Sequence, residues 1–470
     1  MQYLVLFVFV CAFIVAIISA TVKIIGLKQL FLQKIIAEKL VNNLFFSTLP
    51  IKDLACYILK QKKHLKKQML QCISDDNFIN LAKFLNNPLI KAKLDLILNG
   101  KISNLKNSDH IYELMKVCCL LQKNKHQKAS EILFNLNVNK ISSVNKAVWR
   151  LCSAKIALFE GDFLSASEDA AFALKILHKT NLFFEEAETY FVLGTLYRVS
   201  GIYDSADFML RSALDLFHAV GCLHREIEVL GALGLLMSVQ ERFVEADDYF
   251  KKARDLAYKS DYMELCFFAD CQSAMLKLVQ NDTSGAEKII RNILKERLTA
   301  SVKAMSFDIL ARIKMVQKKY CATTTYSQKA SFIYYEKCNF AAAFDCLYLA
   351  AEALFNVNKI DEAENILRDL IKKEKYHKSC FHIANAFTLL GVILLQKSEF
   401  SRAKAIFNLA LKQELYNDRK TGIAIDYANL AMVERKCGNM SDARKNLETA
   451  LKYAENTDKD LYTKIKDALD

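Results

Sequence analysis

From Asp109 to roughly Asn456, small and apolar residues recur in blocks with a spacing of 40 residues, twice shortened to 37. The register is marked by Val117, Ala154, Gly194, Gly234, Ala274, Ala311, Ala351, Gly391 and Ala431. Twelve residues after these stand Ala129, Ala166, Ala206, Ala246, Ala286, Thr323, Ala363, Ala403 and Ala443, eight of the nine being alanine. Seven residues further on lie Leu136, Ala173, Ala213, Ala253, Ile293, Ala330, Leu370, Ala410 and Ala450. Larger apolar side chains surround these columns at helical spacing, as with Tyr190, Leu193, Tyr197 and Leu210. The pattern predicts two helices per block joined by a short turn, for example Ser200–Tyr203 or Asn358–Asp361. A small residue on one helix facing a small residue on the next lets the two backbones cross at the short end of the usual 8–10 Å range. One such hairpin cannot bury its faces alone, but a stack of them forms a continuous core. The expected fold is all-α, an α-solenoid superhelix of about nine stacked hairpins over residues 109–456. The block anchored at Ala311 is degenerate, with Thr323 and Ser327 where an alanine and a large apolar residue are expected, which predicts an irregularity near 300–335.

The flanks differ from the array. Residues 1–22 carry no Asp, Glu, Lys or Arg, and as a helix they reach about 33 Å, enough for a hydrocarbon core of about 30 Å. With no basic residue before the run and an apolar stretch longer than a signal-peptide core, a retained transmembrane helix is expected rather than a cleaved leader. Lys23, Lys28, Lys34 and Lys39 follow the run, which puts the array on the cytoplasmic side of a single-pass membrane protein. Residues 23–108 form a basic juxtamembrane region with helical stretches and a break at Pro88. Its densest cluster, Lys60, Lys62, Lys63, Lys66 and Lys67, suits the anionic surface of a membrane; a solvated helix face is the plainer alternative. Residues 457–470 read as a final helix that caps the last repeat.

Composition narrows the picture. The chain of 470 residues has only 12 Gly and 2 Pro, too few for the turns of sandwiches, barrels or crossover folds. Hydrophobic residues make up 53%, ample to offset ordering entropy, so a disordered chain is excluded. The 14 cysteines are scattered without a CxxC and are expected as reduced thiols packed in cores, which favours a reducing compartment. Much of the net charge of +13 comes from the ten lysines between Lys23 and Cys72, opposed by Glu38 and Asp53. The rest of the chain is near balance, and no nucleic-acid partner is expected.

The repeated columns resemble the tetratricopeptide repeat (TPR), whose small and aromatic positions are matched by Leu193-Gly194, Tyr197, Ala206 and Ala213, and again by Leu390-Gly391, Ala403, Phe407 and Ala410. The period of 40 is similar to a TPR subclass with longer helices, and the family's proline near the end of the second helix is missing. The resemblance implies that first helices line a concave groove. In that register Phe191, Tyr348, Leu235, Met275, Met315, Phe355 and Leu395 face inward, while the Lys, Asn and Arg clamp of chaperone-tail binders has no counterpart. An apolar groove implies a protein or peptide partner with hydrophobic anchors; the competing reading is that the longer helices bury these columns against one another.

Candidate chemistry is sparse. His377 and His382 are five apart and do not share a helix face, Cys266 and Cys271 lack a second ligand pair, and Gly231 and Gly234 sit inside a helical pattern rather than after a strand. No phosphate-binding loop or GxSxG is present. No enzyme activity, metal or cofactor is expected. The reading is a membrane-anchored TPR scaffold for protein–protein interaction; the alternatives are a TPR-type regulatory peptide receptor and an envelope-assembly factor with its repeats outside the cytoplasm.

Overall fold

Small residues at the anticipated columns do bring helices together in pairs. The computed structural model describes residues 110–122, 125–138, 141–180, 182–337, 339–372, 381–416, 419–455 and 459–469. The expected membrane span at 1–22, the basic region 23–108 with Lys60, Lys62, Lys63, Lys66 and Lys67, and the capping residue Thr457 lie outside these. Among the described residues there is no strand, and no helix is long and apolar enough to cross a membrane.

The described helices form nine hairpins. They pair α1 (His110–Gln122) with α2 (His126–Phe134), α3 (Ser143–Glu160) with α4 (Phe163–Leu177), and α5 (Phe183–Val199) with α6 (Tyr203–Val220). Next come α7 (Leu223–Val239) with α8 (Phe243–Lys259), α9 (Met263–Val279) with α10 (Thr283–Ile293), and α11 (Ala300–Val316) with α12 (Tyr320–Glu336). The last three are α13 (Phe340–Asn356) with α14 (Ile360–Lys372), α15 (Phe381–Gln396) with α16 (Phe400–Tyr416), and α17 (Lys420–Lys436) with α18 (Met440–Ala454). A final helix, α19 (Lys459–Leu469), buries Ile465 in a cluster with Ala443, Leu447 and Ala450. The described residues fall into two compact units, one ending at Cys266 and the other running from Phe267 onward.

In the first unit Ala154, Ala166, Leu133, Leu177 and Leu193 share one buried cluster. A Cβ on Gly194 would stand 2.7 Å from Leu210 Cγ, and one on Gly234 would stand 2.4 Å from the Phe250 ring. These two positions require glycine because a large side chain from the second helix lies directly on the first helix backbone. The second unit repeats the device: a Cβ on Gly391 would stand 2.5 Å from the Phe407 ring, and Phe407 joins Leu354, Leu370, Leu390 and Leu394 in one cluster.

The hairpins turn through a left-handed residue. It is Gly161, Gly201 or Gly438 in three hairpins, but Glu241, Asn281, Lys318, Asn358 and Ser398 adopt φ of 57–62° in five others. Side-chain-bearing residues therefore do work usually given to glycine, which reconciles many tight turns with few glycines. Each pays a left-handed penalty of about 1–2 kcal/mol. Lys318→Gly is expected to raise stability by roughly 0.5–1 kcal/mol, read as a higher urea midpoint with an unchanged slope.

The short element falls just before the irregularity expected near 300–335: α10 has 11 residues where α8, α12 and α16 each have 17, and α11 and α12 within that range are both full-length. Within α12, Thr323 and Ser327 are fully buried. Thr323 Oγ1 donates to the Lys319 carbonyl at 3.2 Å. The described cysteines are free thiols, and Cys152, Cys222, Cys266, Cys271 and Cys346 are buried as anticipated; Cys321 and Cys437 are exposed, because both stand at hairpin ends rather than on packed faces.

Candidate functional site

First helices of successive hairpins touch one another, as α5 does α7 in the first unit, and α11, α13, α15 and α17 in turn in the second. Within each unit this adjacency lines up one helix of each touching pair along one face. All seven residues anticipated to face inward are half-buried: Phe191 and Leu235 on first helices of the first unit, and Met275, Met315, Tyr348, Phe355 and Leu395 on first helices of the second. Tyr348, Phe355 and Leu395 are brought together against a single core cluster, whereas Met275 packs on another. Thus the side chains are partly core and partly surface. Exposed apolar positions on the same face occur on α17, at Ile425 and Met432, the latter 52% accessible.

The face is less apolar than its columns imply, because charged side chains from adjacent first helices meet along it. In the first unit Glu188 on α5 is nearly inaccessible and pairs with Lys155 on α3 and Arg225 on α7, the latter at 2.5 Å from Nε to Oε1. Arg225 also holds Glu228, which His224 approaches at 3.4 Å. Burial would raise the Glu188 carboxyl, but the Arg225 and Lys155 cations hold it below its usual range. For Glu228 burial is likewise outweighed by Arg225 and His224, which hold it down to about 2.

In the second unit Arg312 Nε on α11 donates to Asp308 Oδ1 at 2.9 Å, and Arg312 Nη2 lies 4.0 Å from Asp345 Oδ2 on α13. Burial pushes the Asp308 carboxyl up despite Arg312, and burial alone raises Glu352. Further along, Thr388 Oγ1 on α15 donates to Asp426 Oδ1 on α17 at 2.8 Å. Glu414 on α16 lies 3.4 Å from Arg419 Nε and leaves no room for a Cβ at Gly422. Burial first, then repulsion from Glu414, pushes Asp426 up to about 7 against the opposing Thr388 hydroxyl and Arg419.

A carboxyl raised in the folded state stabilises the fold while protonated, and the contribution fades as pH climbs from the ordinary carboxylate value to about 7. Thermal stability is therefore expected to decline between about pH 4 and 7 by an amount on the order of a few kcal/mol from this group. Asp426→Asn should remove that part of the slope in melting curves recorded across the range.

Residues 150–458 match the family described as the MalT-like TPR region. The chain belongs to the MalT-like TPR family. No curated protein matches it. Among solved structures this MalT-like TPR chain is similar to the apo form of the quorum sensor NprR from B. thuringiensis, at 13% identity over 73% of this chain and 97% of that one, with a TM-score of 0.47. A signal transduction ATPase with numerous domains and a tetratricopeptide repeat sensor, from Pyrococcus horikoshii, is similar at 13% identity over 90% of this chain and 75% of that one, with a TM-score of 0.47. A Rap protein complexed with competence and sporulation factor is similar at 12% identity over 83% and 98%, with a TM-score of 0.42. These likenesses concern the fold alone.

The charged partners Glu188, Glu228 and Asp345 of this TPR face were not among the anticipated inward positions. They stand three residues before Phe191, Gly231 and Tyr348, one helical turn earlier, so extending the inward columns by a turn finds them.

Proposed function

We propose that this MalT-like TPR chain is a scaffold whose first-helix face holds a protein or peptide partner, and that residues 1–22 anchor it in a membrane with the repeats in the cytoplasm. The observation that carries the binding reading is that one face combines half-buried aromatic and aliphatic side chains, Tyr348, Phe355 and Leu395, with exposed Ile425 and Met432 on the neighbouring helix. Such a strip supplies apolar anchor points at helical spacing for an extended or helical segment. The ion pairs beside it are already matched within the protein, so they position helices and limit register rather than supply a reactive group. The anchoring reading rests on the uncharged run at 1–22 and the lysines that follow it.

Ile425→Glu combined with Met432→Glu tests the binding reading, since both side chains are exposed and the fold should tolerate them. Quantitative affinity purification from detergent-solubilised membranes should recover a partner with the wild type and lose it with the variant, at an unchanged melting temperature. Full recovery by the folded variant contradicts the binding face. For topology, a C-terminal fluorescent protein should be bright and a C-terminal alkaline phosphatase inactive; the reverse pair places the repeats on the far side.

A further inference from the structure

The short α10 borders a cleft. It has a volume of about 720 Å³ and lies between α10, α11 and α12, within the second unit. This falls in the range of small-molecule sites. Its lining combines two kinds of side chain. Phe307 on α11 and Tyr326 on α12 lie with ring centroids 6.1 Å apart and planes inclined by only 24°. Both rings are half-buried, and Lys329 Nζ lies over them, 5.8 Å and 5.9 Å from the two ring centroids.

Along the cleft run Lys288, Arg291 and Lys295, all exposed and spaced by three and four residues. Lys288 and Arg291 lie one turn apart on α10 and share one face; Lys295 follows in the turn just past its end at Ile293, and seven residues at helical rise span about 10 Å. The acidic lining residue, Glu287, is already engaged: Lys314 Nζ donates to it at 2.7 Å and Arg291 at 2.7–2.8 Å. Lys288 forms no ion pair among the described residues, and Lys295 donates only to the Asn292 side chain, at 3.2 Å. The cleft thus keeps unneutralised positive charge next to an aromatic floor.

We propose that this cleft binds a nucleoside phosphate, its base stacked on Phe307 and Tyr326 and its phosphate chain laid along Lys288, Arg291 and Lys295. A row of cations about 10 Å long suits a chain of phosphates better than a single carboxylate. A paired ring floor accepts any planar base, because every base presents a π-face. The site uses neither the first-helix strip nor its partner, so it stands or falls independently of that reading.

Isothermal titration of the full-length chain in non-ionic detergent tests it, with ATP, adenosine and tripolyphosphate as three separate probes. ATP should bind saturably at one site, and each fragment should bind at least roughly ten-fold more weakly. Lys288→Glu with Lys295→Glu, both at exposed positions, should weaken ATP by at least about ten-fold without changing the melting curve. Tyr326→Leu should weaken ATP but leave tripolyphosphate unchanged. Absence of saturable ATP binding overturns the proposal. So does either fragment binding as tightly as ATP, which marks a bare anion patch or a bare apolar one. Wild-type ATP affinity in the folded charge-reversed variant places the binding elsewhere and overturns it as well.

Discussion

Phe407→Ala is expected to lower the stability of the α15/α16 hairpin by about 3–5 kcal/mol. The ring is fully buried and lies so close to the α15 backbone that a Cβ at Gly391 would stand 2.5 Å from it. Its removal leaves a hole between the two helices, and α15 cannot close in without pulling Leu390 and Leu394 from the same cluster. Because the stability of a repeat array is close to a sum over neighbours, the damage should be local. Hydrogen exchange should show faster exchange in α15 and α16, with α3 and α4 unaffected. Ala403→Leu is the converse case, overpacking the same hairpin at a cost of about 1–3 kcal/mol. Simultaneous loss of protection in every hairpin contradicts the local picture.

Arg225→Met has the second largest expected effect, about 3–5 kcal/mol, because it strands a buried carboxylate. Glu188 retains only 2% side-chain exposure and would keep Lys155 as its one cation. Glu228 would lose its closest cation, leaving His224 at 3.4 Å. Adding Glu188→Gln should restore much of the loss, since Lys155 is accessible enough to reach water. Denaturant titration of the two single variants and the double variant measures the coupling. A loss below about 1 kcal/mol for Arg225→Met alone would show that the pair is solvated like a surface ion pair. Glu228, held down to about 2, adds a matching acid signature: its stabilisation is present above the ordinary carboxylate value and is lost as pH falls toward about 2.

The hairpins were legible in the sequence because close helix crossing leaves little choice of residue. Ala166, Ala206, Ala246, Ala286, Ala363 and Ala403 all have no accessible surface, and that requirement is written directly as a column of alanines. The turns were less legible. Glu241, Lys318 and Ser398 take left-handed conformations without a residue type that announces them, since neighbouring helices impose the geometry on the backbone. Periodicity does not separate a half-buried core side chain from a groove lining: Phe355 and Leu395, anticipated as inward, are partly buried against a core cluster. The row from Lys155 through Glu188 to Arg225 depends on contacts between residues 33 and 37 apart, and only the stacking of hairpins brings them together. The short α10 falls in the 37-residue step from Ala274 to Ala311, whereas Thr323 and Ser327 pointed to the following hairpin, and the period alone does not say which side chains line a cleft there.

The most direct test of the first-helix face is site-specific photo-crosslinking in intact cells, with a benzophenone amino acid at Met432 or Phe355 and, as controls, at Leu164 on α4 and Val244 on α8, which are 74% and 79% exposed on second helices. The account predicts one discrete adduct band from Met432 and Phe355 and none from the controls. Adducts from Leu164 and Val244 with none from Met432 or Phe355 would contradict it, and would place the partner on the second helices instead.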